Sequence, residues 1–337
     1  MTLINEFISR YRREFEFYQD VSQYCAQQCE LALEESGIRA IVTYRAKRPD
    51  RLEQKVRRRA GRAQYKTLED IYSDIVDVAG VRIALYFPGD REQVGQIIRE
   101  QFELIEPPKD FPAASTPRPG KRFSGYWATH YRIHLDPEKV DHQYKRYAGV
   151  RIEIQVASVL MHAWAEVEHD LAYKQLDGGL SDDEDAILDE LNGLVLTGEI
   201  ALERLQKAVE IRIQNLNRPF HNHYELAAYL YDKIHTQKKG RTAEIEVTLP
   251  MGRIDILYRL LQMAGLDQPR ELARYAVQVN LIAVHKTVAD QMVEHVLRDN
   301  PSLLAQYQQI KKEMLSTDLD AIRQGDMQPA TDAGKES

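Results

Sequence analysis

The segment that most restricts the fold is Val150-Arg-Ile-Glu-Ile-Gln-Val156, which runs directly into Ala157-Ser-Val-Leu-Met-His-Ala-Trp-Ala-Glu-Val-Glu-His-Asp-Leu-Ala-Tyr-Lys174. Ile152, Ile154 and Val156 alternate with Arg151, Glu153 and Gln155, the period of a strand with one buried face. Its other face carries an acid and an amide two residues apart, pointing the same way. The spacing then becomes helical, with Leu160, Trp164, Val167 and Leu171 in an apolar stripe. A polar strand face feeding a long helix is a common place for an active site in an α/β domain.

The pattern before this segment is mixed. Phe7, Tyr11, Phe15, Tyr18, Tyr24 and Leu31 recur at helical steps over residues 2–35, and Ser36-Gly37 ends that helix. Residues 38–47 read as a strand, and Pro49 suits the first turn of a helix whose Leu52 and Val56 face inward. Leu68, Ile71, Tyr72 and Ile75 mark a further helix. Val81-Arg-Ile-Ala-Leu-Tyr-Phe87 is almost continuously apolar, as expected of a strand inside a sheet. A helix over 91–101 and a short strand over 102–106 follow. Residues 107–125 hold five of the thirteen prolines and no periodicity, so a long functional loop is expected. Residues 127–135 read as a strand.

After the central segment, Ser181-Asp-Asp-Glu184 is a capping box for a helix reaching about residue 216. Beyond Pro219, residues 224–234, 251–264, 270–279, 289–297 and 302–314 read as helices, with a short strand pattern at 244–249. The expected organisation is one unit over 1–217, a mainly helical extension over 218–315 and a disordered tail over 316–337.

Composition narrows the class. The 337 residues are 43% hydrophobic and 29% charged, which suits a globular protein. No apolar run nears the roughly 18 residues of a membrane span, and the N-terminus lacks a secretion signal, so the cytoplasm is expected. Cys25 and Cys29 lie four apart on one helix; a disulfide there would strain it and zinc needs more ligands, so two reduced, partly buried thiols are expected. The net charge of −7 is uneven: residues 39–66 hold eleven Lys or Arg against Asp50 and Glu53. Such a basic island points to a phosphate site rather than to general nucleic-acid affinity.

Arg45 and Lys47 lie two apart at a strand end, and Lys55 follows about two turns into the next helix; converging cations suit a polyphosphate. A solvated basic face is the plainer alternative. Asp77 stands just before a strand, near Gly80; a turn role is the plainer alternative there. Glu153 and Gln155 read alone could be an exposed strand face.

In order, however, Arg-x-Lys, Lys, Asp77-Val-Ala-Gly-Val-Arg-Ile, Gly-Tyr126-x-x-x-His130, Glu153-x-Gln155 and a His- and Glu-bearing helix resemble the RelA/SpoT synthetase family of alarmone synthetases. The resemblance covers residues 40–174. It implies an α/β (α+β) fold: a nucleotidyltransferase-like mixed β-sheet flanked by helices. It also implies Mg²⁺-dependent transfer of the β,γ-pyrophosphate of ATP to the ribose 3′-OH of GDP or GTP, releasing AMP. By this resemblance Arg45, Lys47 and Lys55 contact the ATP phosphates, and Asp77 binds Mg²⁺ with Glu153. Glu153 also helps activate the 3′-hydroxyl, with Gln155 as its companion. Tyr126 stacks on guanine, and His130, Lys121 and Arg122 contact the acceptor. The chain departs from the family where Arg122 replaces a lysine, Ser124 an asparagine and Arg51 a serine; these bear on the acceptor rather than on the phosphate chemistry. About 40 residues precede the matching stretch, too few for the upstream hydrolase of long family members.

Two further expectations complete the reading. His162, Glu166 and His169 share a helix face, where support of the neighbouring strand is preferred to a metal site. Homo-oligomers are common among small family members, so one is expected here. Transfer to the 3′ end of tRNA, suggested by Arg57-Arg-Arg-Ala-Gly-Arg62, is the enzymatic alternative; a nucleotide- or RNA-binding pseudoenzyme is the non-enzymatic one.

Overall fold

The first helix, α1 (Leu3–Glu35), is 33 residues long and starts where the Thr2 hydroxyl accepts the Asn5 amide. A computed structural model describes residues 2–112, 122–140, 142–173, 180–239, 250–280 and 286–324 of the chain. The helix ends at Gly37, whose φ of +74° suits a residue without a Cβ. The chain then enters β1 (Ala40–Ala46), α2 (Pro49–Ala63), α3 (Leu68–Asp74), β2 (Ala79–Leu85), α4 (Arg91–Gln101) and β3 (Phe102–Leu104). After these come β4 (Lys109–Phe111), β5 (Ala128–Leu135), β6 (Ile152–Ser158), α5 (Val159–Tyr173) and α6 (Asp182–Gln214). The C-terminal part is α7 (His223–Lys239), α8 (Ile254–Ala264), α9 (Pro269–Ala276), α10 (Val288–Asp299) and α11 (Leu304–Gln324).

The sheet is mixed, in the order β1-β2-β6-β5-β3, with β4 also paired to β5. Only β2 and β6 run parallel among these pairs; the others are antiparallel. Because directly paired residues point to the same side, the register sorts the side chains into two faces. Tyr44, Val81, Ile154 and Tyr131 form one rung, and Val42, Ile83 and Val156 part of the next. Those side chains pack with Val21, Cys25, Cys29 and Leu33 of α1 and with Val94 and Ile98 of α4 in the main apolar core. The opposite rungs read Arg45, Gly80, Glu153, Arg132 and Thr43, Arg82, Gln155, His130. One face is therefore hydrocarbon and the other charged. Both cysteines are free and buried, as their spacing suggested.

Four expectations are corrected. β6 is buried on both faces: α5 packs over Ala157, and Glu153, 7% exposed, is enclosed by His130, Arg132 and Gln155 of the sheet itself. The large side chains of Met161 and Trp164 on α5 pack on the small Ala128 of β5 and Ala157 of β6, whereas Val167 and Leu171 of the expected stripe are 46% and 44% exposed. The proline-rich stretch contains β4, an exposed three-residue edge strand too short to show alternation. The tail expected to be disordered from residue 316 continues α11 to Gln324, anchored where Asp318 meets Arg253 at 2.8 Å. The strand pattern at 244–249 and Lys121 lie outside the described residues.

α7–α10, Phe220 and the end of α6 share a second apolar core. It joins α1 at the Gly37 turn: His223 Nε2 lies 3.0 Å from the Glu34 carbonyl, the Arg39 guanidinium sits 4.6 Å over the Tyr224 ring, and Arg253 reaches Glu35 at 3.1 Å. A Cβ on Gly37 would fall 2.4 Å from that of Ala227. A left-handed L-residue costs about 1–2 kcal/mol before any clash. Gly37→Ala is therefore expected to lower Tm by at least about 2 °C, while Gly61→Ala on the open side of α2, where nothing lies within 4 Å, leaves it unchanged or raises it. Equal melting of Gly37→Ala and the parent would contradict the tight junction.

Candidate active site

Two hydroxyls of α1 fix the strand ends that carry the charged groups. Tyr11 Oη donates to the Lys47 carbonyl at 2.6 Å, and Ser22 Oγ donates to the Arg45 carbonyl at 3.2 Å while accepting the Gly80 amide at 3.3 Å. The Lys47 amide in turn donates to the Val78 carbonyl at 2.9 Å. Lys47 and Asp77 are thereby brought side by side although thirty residues apart. α2 contributes Lys55 from the flank, its inner side held by buried Leu52 and Val56.

These three residues form a fork. Lys47 Nζ and Lys55 Nζ each lie 2.7 Å from a different oxygen of the Asp77 carboxylate. Burial alone would raise the Asp77 pKa, but the two ammonium groups outweigh it and hold it well below the carboxylate range. Burial lowers the Lys47 pKa, with Asp77 opposing. Beside the fork, a small cleft open to solvent is lined by Thr43, Arg45, Asp77, Gly80, Arg82, Glu153 and Gln155. Gly80 forms its floor between Arg45 and Glu153, leaving space where any other residue would project a side chain.

Glu153 is gripped by its own face. Gln155 Nε2 donates to it at 2.8 Å, His130 Nδ1 is 3.6 Å away and Arg132 Nε 3.9 Å. Burial works to raise its pKa, and the His130 and Gln155 contacts more than compensate, so Glu153 is ionised at neutral pH. Two ionised carboxylates on one cavity wall suit a hard divalent cation, since Mg²⁺ takes one or two protein carboxylates beside phosphate oxygens. Among the described residues no group of three His, Cys, Asp or Glu converges as a fuller metal cage. His162 and Glu166 are engaged in the structure: His162 Nε2 meets the Ile83 carbonyl at 3.2 Å, and Glu166 pairs with Arg82.

On the far side of Glu153 the Tyr126 ring lies 6.0 Å from that of His130 and 6.3 Å from that of His162. Phe111 of β4 is 4.6 Å from His130. Buried His130 Nε2 and the Nε atoms of Arg82 and Arg132 have no hydrogen-bond partner among the described residues. Unspent polar atoms on a charged face are what a polar ligand would satisfy. Arg122 points elsewhere, to Asp189 at 3.2 Å and Glu190 at 3.3 Å on α6.

Residues 44–177 match the family model described as the region found in RelA / SpoT proteins. This chain carries a RelA/SpoT region. A curated relative, GTP pyrophosphokinase YwaC of Bacillus subtilis (strain 168), is 31% identical over 109 residues, 32% of this chain and 47% of the relative. The chain thus spans about half the length of the curated relative it matches. Among solved structures, small alarmone synthetase 1 from Bacillus subtilis aligns with a TM-score of 0.47 at 21% identity, covering 60% of this chain and 98% of that one. A GTP pyrophosphokinase family protein from Streptococcus pneumoniae aligns with a TM-score of 0.46 at 21% identity, covering 68% and 98%.

Within the RelA/SpoT region, Arg45, Asp77, Glu153 and Gln155 line one cavity, Lys47 and Lys55 flank it through Asp77, and Tyr126 and His130 stand next to Glu153. Arg122 is drawn aside to α6. Sequence reasoning left out Arg82 and Arg132. Arg82 follows Gly80 by two on the same strand, so alternation already put it on the polar face; Arg132 follows His130 by the same step.

Burial and the Arg82 charge push the His162 pKa down from 6.5 to about 4. Its folded pKa lies below the unfolded one, so protonation favours unfolding: stability is full above about 6.5 and falls as pH drops towards about 4. The total loss is on the order of 3 kcal/mol. His162→Gln is expected to flatten that part of the melting-temperature profile between pH 6.5 and 4. A profile as steep as the parent's would remove His162 as its source.

Proposed function

We propose that the chain is a GTP or GDP pyrophosphokinase that moves the β,γ-pyrophosphoryl group of ATP to the ribose 3′-OH of the acceptor, releasing AMP. The observation that carries this reading is the single cavity shared by two ionised carboxylates, Asp77 and Glu153, and bordered by Arg45, Lys47, Lys55 and Arg82. An anionic donor needs its charge neutralised where it develops, and fixed cations do so without reorganising at the moment of reaction. Lys47 and Lys55 are pre-set for this: their ammonium groups already converge, and a polyphosphate competes with Asp77 for them. Asp77 and Glu153 would hold Mg²⁺, which supplies charge neutralisation for the transferring phosphoryl groups when bound.

The reaction forms a bond between the 3′-oxygen and the β-phosphorus and breaks the bond from that phosphorus to the oxygen it shares with the α-phosphate. The electron pair leaves with AMP. Glu153, ionised and steadied by Gln155, takes up the proton of the 3′-hydroxyl. Tyr126 offers a ring face to the guanine, and His130, with Nδ1 turned to Glu153, offers its Nε2 to the acceptor. The cytoplasm is the compartment this reading implies.

With ATP, Mg²⁺ and GDP the protein is expected to release AMP and ppGpp in equal amounts. Asp77→Asn and Glu153→Gln are each expected to lower turnover at least about 10²-fold, measured as AMP release under saturating substrates. Near-normal rates in either variant would remove the assigned role, and no AMP with any guanosine acceptor would defeat the reading as a whole. The second reading, transfer to the 3′ end of tRNA, is favoured by the exposed Arg57, Arg58 and Arg62 beyond Lys55 on α2; label from γ-phosphate appearing in tRNA instead of free nucleotide identifies it.

We propose self-association as well. α6 exposes Ile187, Leu191, Leu194 and Leu205 along one side, and α5, which packs on α6, exposes Val167 and Leu171. Leu194→Asp is expected to reduce the mass seen by light scattering to that of a single chain; an unchanged mass would remove this face from the contact.

A further inference from the structure

Residues 122–127 form no helix or strand, so their backbone amides must find partners elsewhere. Three of those partners come from one turn of α6. Asp189 accepts the Arg122 amide at 3.0 Å with Oδ2 and the Phe123 amide at 3.3 Å with Oδ1. Asn192 accepts the Gly125 amide at 3.1 Å and donates to the Gly125 carbonyl at 3.3 Å. Gly193 supplies room: a Cβ there would lie 2.5 Å from two atoms of the Phe123 ring.

Such an arrangement is not a surface accident. Asp189 is 6% exposed and Asn192 1%, and a buried carboxylate or amide is costly unless its hydrogen bonds are met. Both are met by this segment, 66 or 67 residues away in the chain. α6 is itself fixed to α5 through Trp164, whose Nε1 donates to the Leu188 carbonyl at 3.4 Å. Downstream, Gly125 takes a φ of +84°. The next residue, Tyr126, is set beside His130 and His162. The fork at Asp77 draws on none of these contacts.

We infer that Asp189, Asn192 and Gly193 are positioning residues: they template the 122–125 segment so that the Tyr126 ring is already placed for the acceptor's base before the acceptor arrives. The inference deepens the proposed pyrophosphokinase and rests on that reading for its kinetic consequence. It divides the protein's affinity into two independently supported halves. The strand ends held by α1 serve the donor, and one turn of α6 serves the acceptor. It also accounts for Arg122, whose guanidinium is drawn to Asp189 as part of the same clamp.

The test uses the full chain with Asn192→Ala, which removes both contacts to Gly125; Asn192→Asp, which keeps an acceptor for its amide; and Gly193→Ala, which favours the helix yet intrudes on Phe123. Asn192→Ala and Gly193→Ala are expected to raise KM for the guanosine acceptor at least tenfold with KM for ATP within twofold, and to accelerate hydrogen exchange at the amides of 123 and 125. Asn192→Asp falls between them and the parent. Unchanged exchange overturns the clamp. Accelerated exchange with unchanged acceptor KM overturns the positioning role, and equal losses for both substrates with a lower Tm reduce the residues to fold support and overturn it too. Should the parent release no AMP with any guanosine acceptor, the pyrophosphokinase reading fails by itself. The clamp is then judged by exchange together with calorimetric binding of GDP and of a non-hydrolysable ATP analogue: tenfold weaker GDP binding alone upholds it, and equal changes overturn it.

Discussion

A carboxylate shared between two ammonium groups organises this molecule. Asp77 sits at 2.7 Å from both Lys47 and Lys55. Stripping one partner from a buried ion pair costs roughly 3–5 kcal/mol, because an uncompensated charge is left behind. The cost is smaller here, with 21% of the Asp77 side chain still reaching solvent, but three charges in one place still demand a rigid frame. The frame is α1. Its Tyr11 hydroxyl ties down the carbonyl of Lys47 in the fork and its Ser22 hydroxyl that of Arg45 beside it, while Cys25, Cys29 and Leu33 of the same helix seal the apolar side of the sheet. Charge placement and core packing are thus two jobs of one element.

Much of this was legible in the order of residues. Alternation in residues 150–156 separated Ile152 and Ile154 from Glu153 and Gln155, and Pro49, the capping box at Ser181 and Gly37 marked helix ends that the structure retains. Arg45, Asp77 and Glu153 were grouped by the order of motifs that resembles the RelA/SpoT family; read singly, each had a plainer alternative. What escaped were features fixed by partners distant in sequence. Glu153 reads as an exposed acid until His130 and Arg132 of β5 close beside it, and β4 is three residues whose only strand signal is its pairing with β5. Asp189 and Asn192 read as polar residues of an amphipathic helix, since nothing near them in the chain names residues 122–125 as their partners. The exposed half of α5 misled for the same reason: helical spacing tells which residues share a side, not which length of that side is covered.

The C-terminal helices meet the remainder through α1 as well. Glu35, whose pKa burial pushes up to about 7 against the pull of Arg253, shares that arginine with Asp255 and Asp318. One helix therefore ends in a partly buried ionic knot with α8 and α11, thirteen residues after it has fixed Gly80 through Ser22. The second apolar core takes in the end of α6 as well as α7–α10, so one continuous helix, together with these polar contacts, ties it to the sheet unit.

The sorting of the sheet into an oily side and an ionic side has an evolutionary corollary. Strand side chains change sides at every step, so deleting or inserting one residue within β2 or β6 would turn Arg82 or Glu153 into the hydrocarbon and bring Ile83 or Ile154 out among the charges. Side-chain exchanges in place are therefore the changes these strands are expected to tolerate, with changes of length falling in the connections between them.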